Sequence, residues 1–207
     1  AGWKTYLGRP HIDPNRSAAM NHLGDALRES LRVEEGILVL EANLTLRQRY
    51  WSHDVESILI VKANLANCAG AMGEDEKALD LRREVYAGFK ALHGVSHERT
   101  IRIGNNLAAS LVNGDQFDEA KSLMRSQTRI ATQSLGADHE SALFAGLRLA
   151  QVLHRDPAAT RDDVLESVSI LEDVIRRRRR ILGPTHPETR YCENELSRTR
   201  AKLAKTA

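Results

Sequence analysis

The sequence predicts an all-α chain of stacked helical hairpins, an α-solenoid of about four units with a C-terminal capping helix. The first observation is a recurring pentapeptide, Leu-Gly-x-x-His. It reads Leu7-Gly8-Arg9-Pro10-His11, Leu135-Gly136-Ala137-Asp138-His139 and Leu182-Gly183-Pro184-Thr185-His186. An altered copy is Leu92-His93-Gly94-Val95-Ser96-His97, and a copy without the glycine is Arg49-Tyr50-Trp51-Ser52-His53. The histidines at 11, 53, 97, 139 and 186 are separated by 42, 44, 42 and 47 residues. A period in that range marks units that are each too small to bury their own apolar face. The second observation is that apolar residues within each period recur at helical spacing. The third is composition: aromatic residues make up 4% of the chain and strand-forming runs are absent, as an all-helical class requires.

Each element follows from its own residues. The approximate units are 11–52, 53–96, 97–138 and 139–185, with a capping helix over 186–207, all in one domain of residues 1–207. In the first unit, Gly24 takes the small-residue position of the first helix and Gly36 that of the second. In the second unit, Ile58, Val61, Leu65, Ala66 and Ala69 form one stripe, and Ala78, Leu81, Val85 and Phe89 the next. Both have the i, i+3, i+4, i+7 spacing of a single helix face. Gly70-Ala71-Met72-Gly73-Glu74-Asp75 suits the turn between them. The third unit repeats this register 42 residues on, with Leu65/Leu107, Ala66/Ala108, Ala78/Ala120 and Leu81/Leu123 aligned. The longer gap from His53 to His97 is therefore a local two-residue adjustment before the first helix. Acids before the second helices, Asp75-Glu76 and Asp118-Glu119, favour the positive end of the helix dipole. The fourth unit is longer by five residues, and the excess falls around His154–Asp163. Pro157 cannot lie deep in a helix, whereas Thr160 or Asp162 can cap one, so an elongated hairpin loop is expected there. A final helix from about Glu188 to Ala204 places Leu196 and Ser197 where the third unit has Leu107 and Ala108. Its Arg198, Arg200, Lys202 and Lys205 suit a cap with one wet face, or the first half of a further unit.

These residues carry a family resemblance. Asn106-Leu107-Ala108, then Gly114-Asp115-Gln116-Phe117-Asp118-Glu119-Ala120, then Leu135-Gly136-Ala137-Asp138-His139 resemble the 42-residue tetratricopeptide variant of the kinesin light chain class. Asn64-Leu65-Ala66, Lys77-Ala78 and His186-Pro187-Glu188-Thr189 match further parts of the same signature, and the first and fourth units are degenerate. The resemblance covers nearly the whole chain. It implies a right-handed superhelix whose first helices line a concave groove. It does not imply motor binding, because fold does not fix function.

Composition sets bounds on function. The net charge of +2 over 207 residues creates no general field for nucleic acid or membranes. No apolar run approaches the roughly 20 residues that span a bilayer. Ala1-Gly2-Trp3 shows neither an initiator methionine nor a signal-peptide pattern, which reads as a processed product or a piece of something longer. Cys68 and Cys192 fall in different units, so free thiols and a reducing, cytoplasmic compartment are expected.

Two features invite sharper readings that physical chemistry disfavours. One histidine per repeat places neighbours about 10 Å apart, the packing distance of helices, whereas zinc ligands converge to about 2 Å from one point. The histidines are expected to hold the hairpin-to-hairpin loop, with nearby Asp, Ser or Thr as caps, and no metal or other cofactor is expected. The run Arg176-Arg177-Arg178-Arg179-Arg180 resembles a nucleic-acid patch. Five consecutive helical residues spread around the circumference, however, and no aromatic side chain interleaves them to stack on bases. A solvated helix end is the expected reading, with no nucleic-acid partner.

No Gly-rich phosphate loop, Gly-x-Ser-x-Gly elbow or His-Glu-x-x-His is present, so no catalytic residue is assigned. The expected function is a non-catalytic protein-interaction module, an adaptor or scaffold that holds a peptide or partner helix in the groove. Counting from Gly24, Ala66, Ala108 and Ala150, the groove candidates are Asn21, Asn64, Asn67, Arg102, Asn105, Asn106, Arg148 and Gln151. An asparagine amide both donates and accepts, so it can pair with an extended backbone. The competing reading is that these amides bond neighbouring helices and hold the stack. Some related tetratricopeptide modules grip a C-terminal carboxylate, but Asp25 would repel one, so no such clamp is expected. The alternative function is a structural subunit buried in a larger assembly through its convex face or terminal helix. A regulatory segment of a multidomain protein is a third reading.

Overall fold

The computed structural model describes residues 13–205, and His11 with its copy of the motif lies outside them. Among the described residues there are nine α-helices and no strand. The fold is a succession of helical hairpins of the α-solenoid class, as the periodicity requires. The chain divides into two compact units, one ending at Gly94 and one beginning at Val95.

The first unit holds α1 (Pro14–Glu29), α2 (Val33–Tyr50), α3 (Val55–Ala71) and α4 (Asp75–His93). The Asp13 carboxylate accepts the Asn15 N–H at 2.8 Å to cap α1, and Pro14 opens the helix without losing a hydrogen bond. Consecutive helices pack together, and α1 also packs on α3, so first helix stacks on first helix. Val33, Leu40, Val61, Leu65 and Cys68 form the core, with Ile37, Leu44 and Leu81 against it. The apolar stripes predicted for the second hairpin are the faces turned inward: Val61, Leu65, Ala66, Ala69, Ala78, Val85 and Phe89 are buried. Gly24 explains how α1 and α2 approach so closely, since a Cβ there would lie 2.5 Å from Leu40 Cγ. A buried polar lock also joins these two helices. The Asn43 amide donates to the Ser17 carbonyl at 2.9 Å and accepts from the Ser17 hydroxyl.

The second unit holds α5 (Glu98–Asn113), α6 (Phe117–Leu135), α7 (Glu140–Arg155), α8 (Arg161–Leu182) and α9 (Pro187–Lys205). Consecutive helices pair, and α7 packs on both α5 and α9. Leu147, Ala150, Leu171, Val174, Ile175 and Cys192 are clustered in its core. Cys68 and Cys192 are both free and buried, and burial pushes both thiols up from their ordinary pKa.

The repeated motif has a local mechanism. Gly94, Gly136 and Gly183 end α4, α6 and α8 with φ of +80°, +92° and +92°, a region that only glycine enters without steric cost. The histidine three residues later then caps the following helix. The Nδ1 atoms of His97, His139 and His186 accept the N–H groups of Arg99, Ser141 and Glu188 at 3.2, 3.2 and 3.3 Å. The expected loop role therefore takes a more specific form: these histidines are themselves the caps. The copy at His53 differs, because Asp54 caps α3 by accepting the Ser57 N–H at 3.2 Å.

The five extra residues of the fourth hairpin are only partly a longer loop. Five residues, 156–160, separate α7 from α8, against three between α5 and α6. The other three lengthen the second helix, 22 residues in α8 against 19 in α6. Thr160 caps α8 in a reciprocal capping box with Asp163, whose strength comes from satisfying two otherwise unpaired N–H groups.

Candidate protein-interaction surface

In the first unit, most of the predicted side chains face one another. Asn64 Nδ2 donates to Asn21 Oδ1 at 3.1 Å, linking α3 to α1. Asn67 Oδ1 accepts from Arg82 Nη2 of α4 at 3.3 Å. Asp25 pairs with Arg28 on its own helix at 2.9 Å. The amides here serve helix stacking, the competing reading of their recurrence.

The second unit is more varied. Arg102 and Asn106 lie one turn apart on α5, both exposed. Neither has a side-chain partner among the described residues. Asn105 is 1% exposed and its Oδ1 has no hydrogen-bond partner. It is an interior residue, so its expected place in a groove is corrected by burial: the offset of three residues before Ala108 turns inward.

Arg148 and Gln151 of α7 belong to a network that the sequence did not disclose. Arg148 Nη1 donates to Gln151 Oε1 at 3.1 Å and its guanidinium lies over the Phe144 ring, 5.2 Å from the centroid. Gln151 Nε2 donates to Tyr191 Oη at 2.8 Å and to Glu195 Oε2 at 3.3 Å on α9. Glu195 is 1% exposed and accepts from Arg198 Nη1 at 2.8 Å, with His154 Nε2 3.8 Å away. Burial pushes the pKa of Arg148 down, against the pull of Tyr191 and Glu195. Burial also lowers the His154 pKa despite its 3.0 Å contact with the Ala150 carbonyl. A small cavity of about 40 Å³ opens between α5 and α7, beside Asn113, Arg148, Gln151 and Arg155. Tyr191 and Glu195 stand on α9 where Arg102 and Asn106 stand on α5, six and two residues before the aligned small residue. Extending the register count into the final helix would have found them.

The long fourth-hairpin loop is tied down. Lys121 Nζ of α6 reaches Asp156 Oδ2 at 2.6 Å and Asp163 Oδ2 at 3.3 Å. Lys202 Nζ of α9 donates to the carbonyls of His154 and Asp156 at 2.7 and 2.8 Å. Lys202 thus satisfies the C-terminal carbonyls of α7, where a cation is favoured.

Each of the five consecutive arginines has an acidic partner. Arg176 and Arg177 pair with Asp173, and Arg177 and Arg180 with Asp138. Arg178, 3% exposed, reaches Glu188 at 2.8 Å, and Arg179 reaches Glu193 at 2.7 Å. Four carboxylates thus face five guanidinium groups, so the run carries little net field. Among the described residues no three His, Cys, Asp or Glu side chains converge as metal ligands, and no helix is long and apolar enough to cross a membrane.

Comparison with known proteins agrees with this architecture. The tetratricopeptide-repeat family profile matches residues 159–188, the span of α8 and the turn into α9. No curated protein matches the chain. Among solved structures, a variant with one glutamine changed to methionine, made in the nearly identical TPR-like repeats of a Podosopora anserina protein described as a kinesin light chain, is similar. It has a TM-score of 0.79 and 22% identity over 93% of this chain and 88% of that one. The same protein without that change gives a TM-score of 0.77 and 22% identity, covering 93% and 89%. BtubC (BKLC) from P. vanneervenii gives 0.76 and 14% identity, covering 94% and 78%. The chain therefore has the fold of kinesin light chain-like tetratricopeptide repeats.

Proposed function

We propose that this chain is a non-catalytic adaptor or scaffold of the cytoplasm that holds a peptide or partner helix along the first helices of its hairpins. The observation that carries the reading is the pair Arg102 and Asn106: exposed, on one face of α5, and without partners among the described residues. The polar groups of the neighbouring α7 and α9 are largely engaged with one another, so this pair offers the hydrogen-bonding capacity the fold leaves unused. Arg102 supplies a fork of N–H donors, and Asn106 a donor and an acceptor. The coarser role, protein–protein interaction, is the general use of the fold. Two free, buried cysteines suit the reducing compartment.

The test is affinity purification from source-cell lysate with the intact chain beside Arg102→Glu/Asn106→Ala, both verified by circular dichroism. A partner captured by the intact chain and lost from the folded variant is the expected result. Equal capture by both sinks the groove reading. It would favour the structural-subunit alternative, for which Leu31 and Leu38, 87% and 66% exposed, supply apolar surface.

A further inference from the structure

We propose a second binding site, away from the first-helix surface, where the second unit takes a lysine side chain from a partner protein. The site is a cavity of about 360 Å³ at the loops that join the hairpins, between the start of α7, the end of α8 and the start of α9. Leu143, Ile181 and Leu182 form its apolar wall, and the charged residues lining it are three carboxylates, Asp138, Glu140 and Glu188, and one guanidinium, Arg178.

The register shows what is unusual about this place. One hairpin earlier, Glu98 Oε1 accepts from the Ser141 hydroxyl at 3.0 Å, closing the junction between α5 and α7. Glu140 lies 42 residues after Glu98, and Glu188 lies 47 after Ser141. These are the offsets that relate Ala108 to Ala150 and Ala150 to Ser197, so the equivalent junction between α7 and α9 sets glutamate against glutamate. Like charges cannot close it. Glu188 turns to Arg178 instead, at 2.8 Å, and Asp138 is held by Arg177 and Arg180. Glu140 remains exposed with no partner among the described residues. His186 also lines the cavity, with Nδ1 engaged by the Glu188 N–H.

An unmatched carboxylate above an apolar wall fits one kind of side chain: a methylene stem long enough to lie on Leu143, Ile181 and Leu182, ending in a compact ammonium. Lysine buries its stem along apolar surface and keeps its charge at the edge in this way. A bare metal ion fits less well, because no three ligating side chains converge here among the described residues and the leucine and isoleucine wall would remain exposed.

The experiment is a titration of the uniformly ¹⁵N-labelled chain, followed by amide shifts, with Nα-acetyl-lysine N-methylamide. Its Nε-acetylated counterpart and the norleucine analogue are run beside it, and calcium chloride separately. The lysine compound is expected to give saturable shifts confined to amides such as Glu140, Leu143, Leu182 and Glu188. Both uncharged compounds should bind at least tenfold more weakly. Glu140→Gln, an exposed change that leaves the Arg178–Glu188 pair intact, should weaken the lysine compound about tenfold with amide shifts elsewhere unchanged. Equal binding of the uncharged compounds, the absence of localised shifts, or saturation of these amides by calcium but not by lysine would each overturn the proposal. None of these outcomes bears on Arg102 and Asn106, which lie outside the cavity.

Discussion

At the scale of single residues, the turns between paired helices show where sequence and backbone conflict. Leu31, Gly73 and Asp115 are spaced by 42 residues and occupy the same point in three successive hairpin turns, with φ of +61°, +76° and +56°. Glycine accepts that conformation, and aspartate tolerates it better than most residues. Leucine does not, and Leu31 is 87% exposed, so burial does not repay the strain. Leu31→Gly should relieve about 1–2 kcal/mol of left-handed strain and lose about 0.5–1 kcal/mol through the freer unfolded chain. The expected net gain of about 0.5–1 kcal/mol would appear as a higher urea midpoint with unchanged slope. A lower midpoint would mean that the Leu31 side chain makes a stabilising contact of its own. The histidine caps show the converse agreement between residue and backbone, since the glycine that ends one helix and the histidine that begins the next form one device.

At the scale of elements, the clasp on the fourth-hairpin loop is the clearest case of ionisation supporting structure. Burial alone would raise the Asp156 carboxyl, but Lys121 and the Ala158 N–H outweigh it and the net shift is downward. Asp163 is likewise held below the usual carboxylate range, with its Thr160 and Lys121 hydrogen bonds overcoming burial. Lys121 is raised, because the two aspartates outweigh its own desolvation. The folded aspartate pKa values lie below the unfolded one. Their stabilisation is therefore present above about pH 4 and is lost as the pH falls through the lower, folded values. The raised lysine gives stability present below about pH 10 and lost as the pH rises through its folded value. Lys121→Met leaves two carboxylates, with side chains 7% and 15% exposed, facing each other without the lysine between them, and with Arg125, 3.6 Å from Asp163, as the remaining cation. At pH 7 it should destabilise the fold by about 3 kcal/mol, read from urea unfolding. As the pH falls through the lowered folded values and both aspartates accept protons, the difference between variant and parent should shrink towards zero. An undiminished difference at low pH would assign the loss to packing of the lysine stem and sink the electrostatic account.

At the scale of the whole molecule, the repeat was legible because it rests on local rules. Apolar spacing places the helices, positive-φ glycines end them, and small residues such as Gly24 and Ala66 mark their close approach. The candidate surface was less legible, because two residues at adjacent helix positions can have opposite fates: Asn105 is interior and Asn106 exposed. The contacts of Gln151 with Tyr191 and Glu195 lie 40 and 44 residues apart in sequence, and no short-range pattern encodes them. The arginine run illustrates the same limit. Its sequence names five adjacent cations, but the acids that answer them come from four other positions: Asp138, Asp173, Glu188 and Glu193. With those carboxylates in place and a net charge of +2 over the chain, few counterions would be released on binding a polyanion. The salt-dependent affinity that drives non-specific nucleic-acid binding should therefore be small. A fluorescein-labelled 20-nucleotide single strand should show no saturable anisotropy change at physiological salt, with protein raised to about 100 µM, the weak end of the usual non-specific range. Arg176→Ala/Arg180→Ala should behave like the parent. Saturable binding abolished by that double change would mean that phosphates displace Asp138 and Asp173 from the guanidinium groups, and the run would then have to be read as a nucleic-acid contact after all.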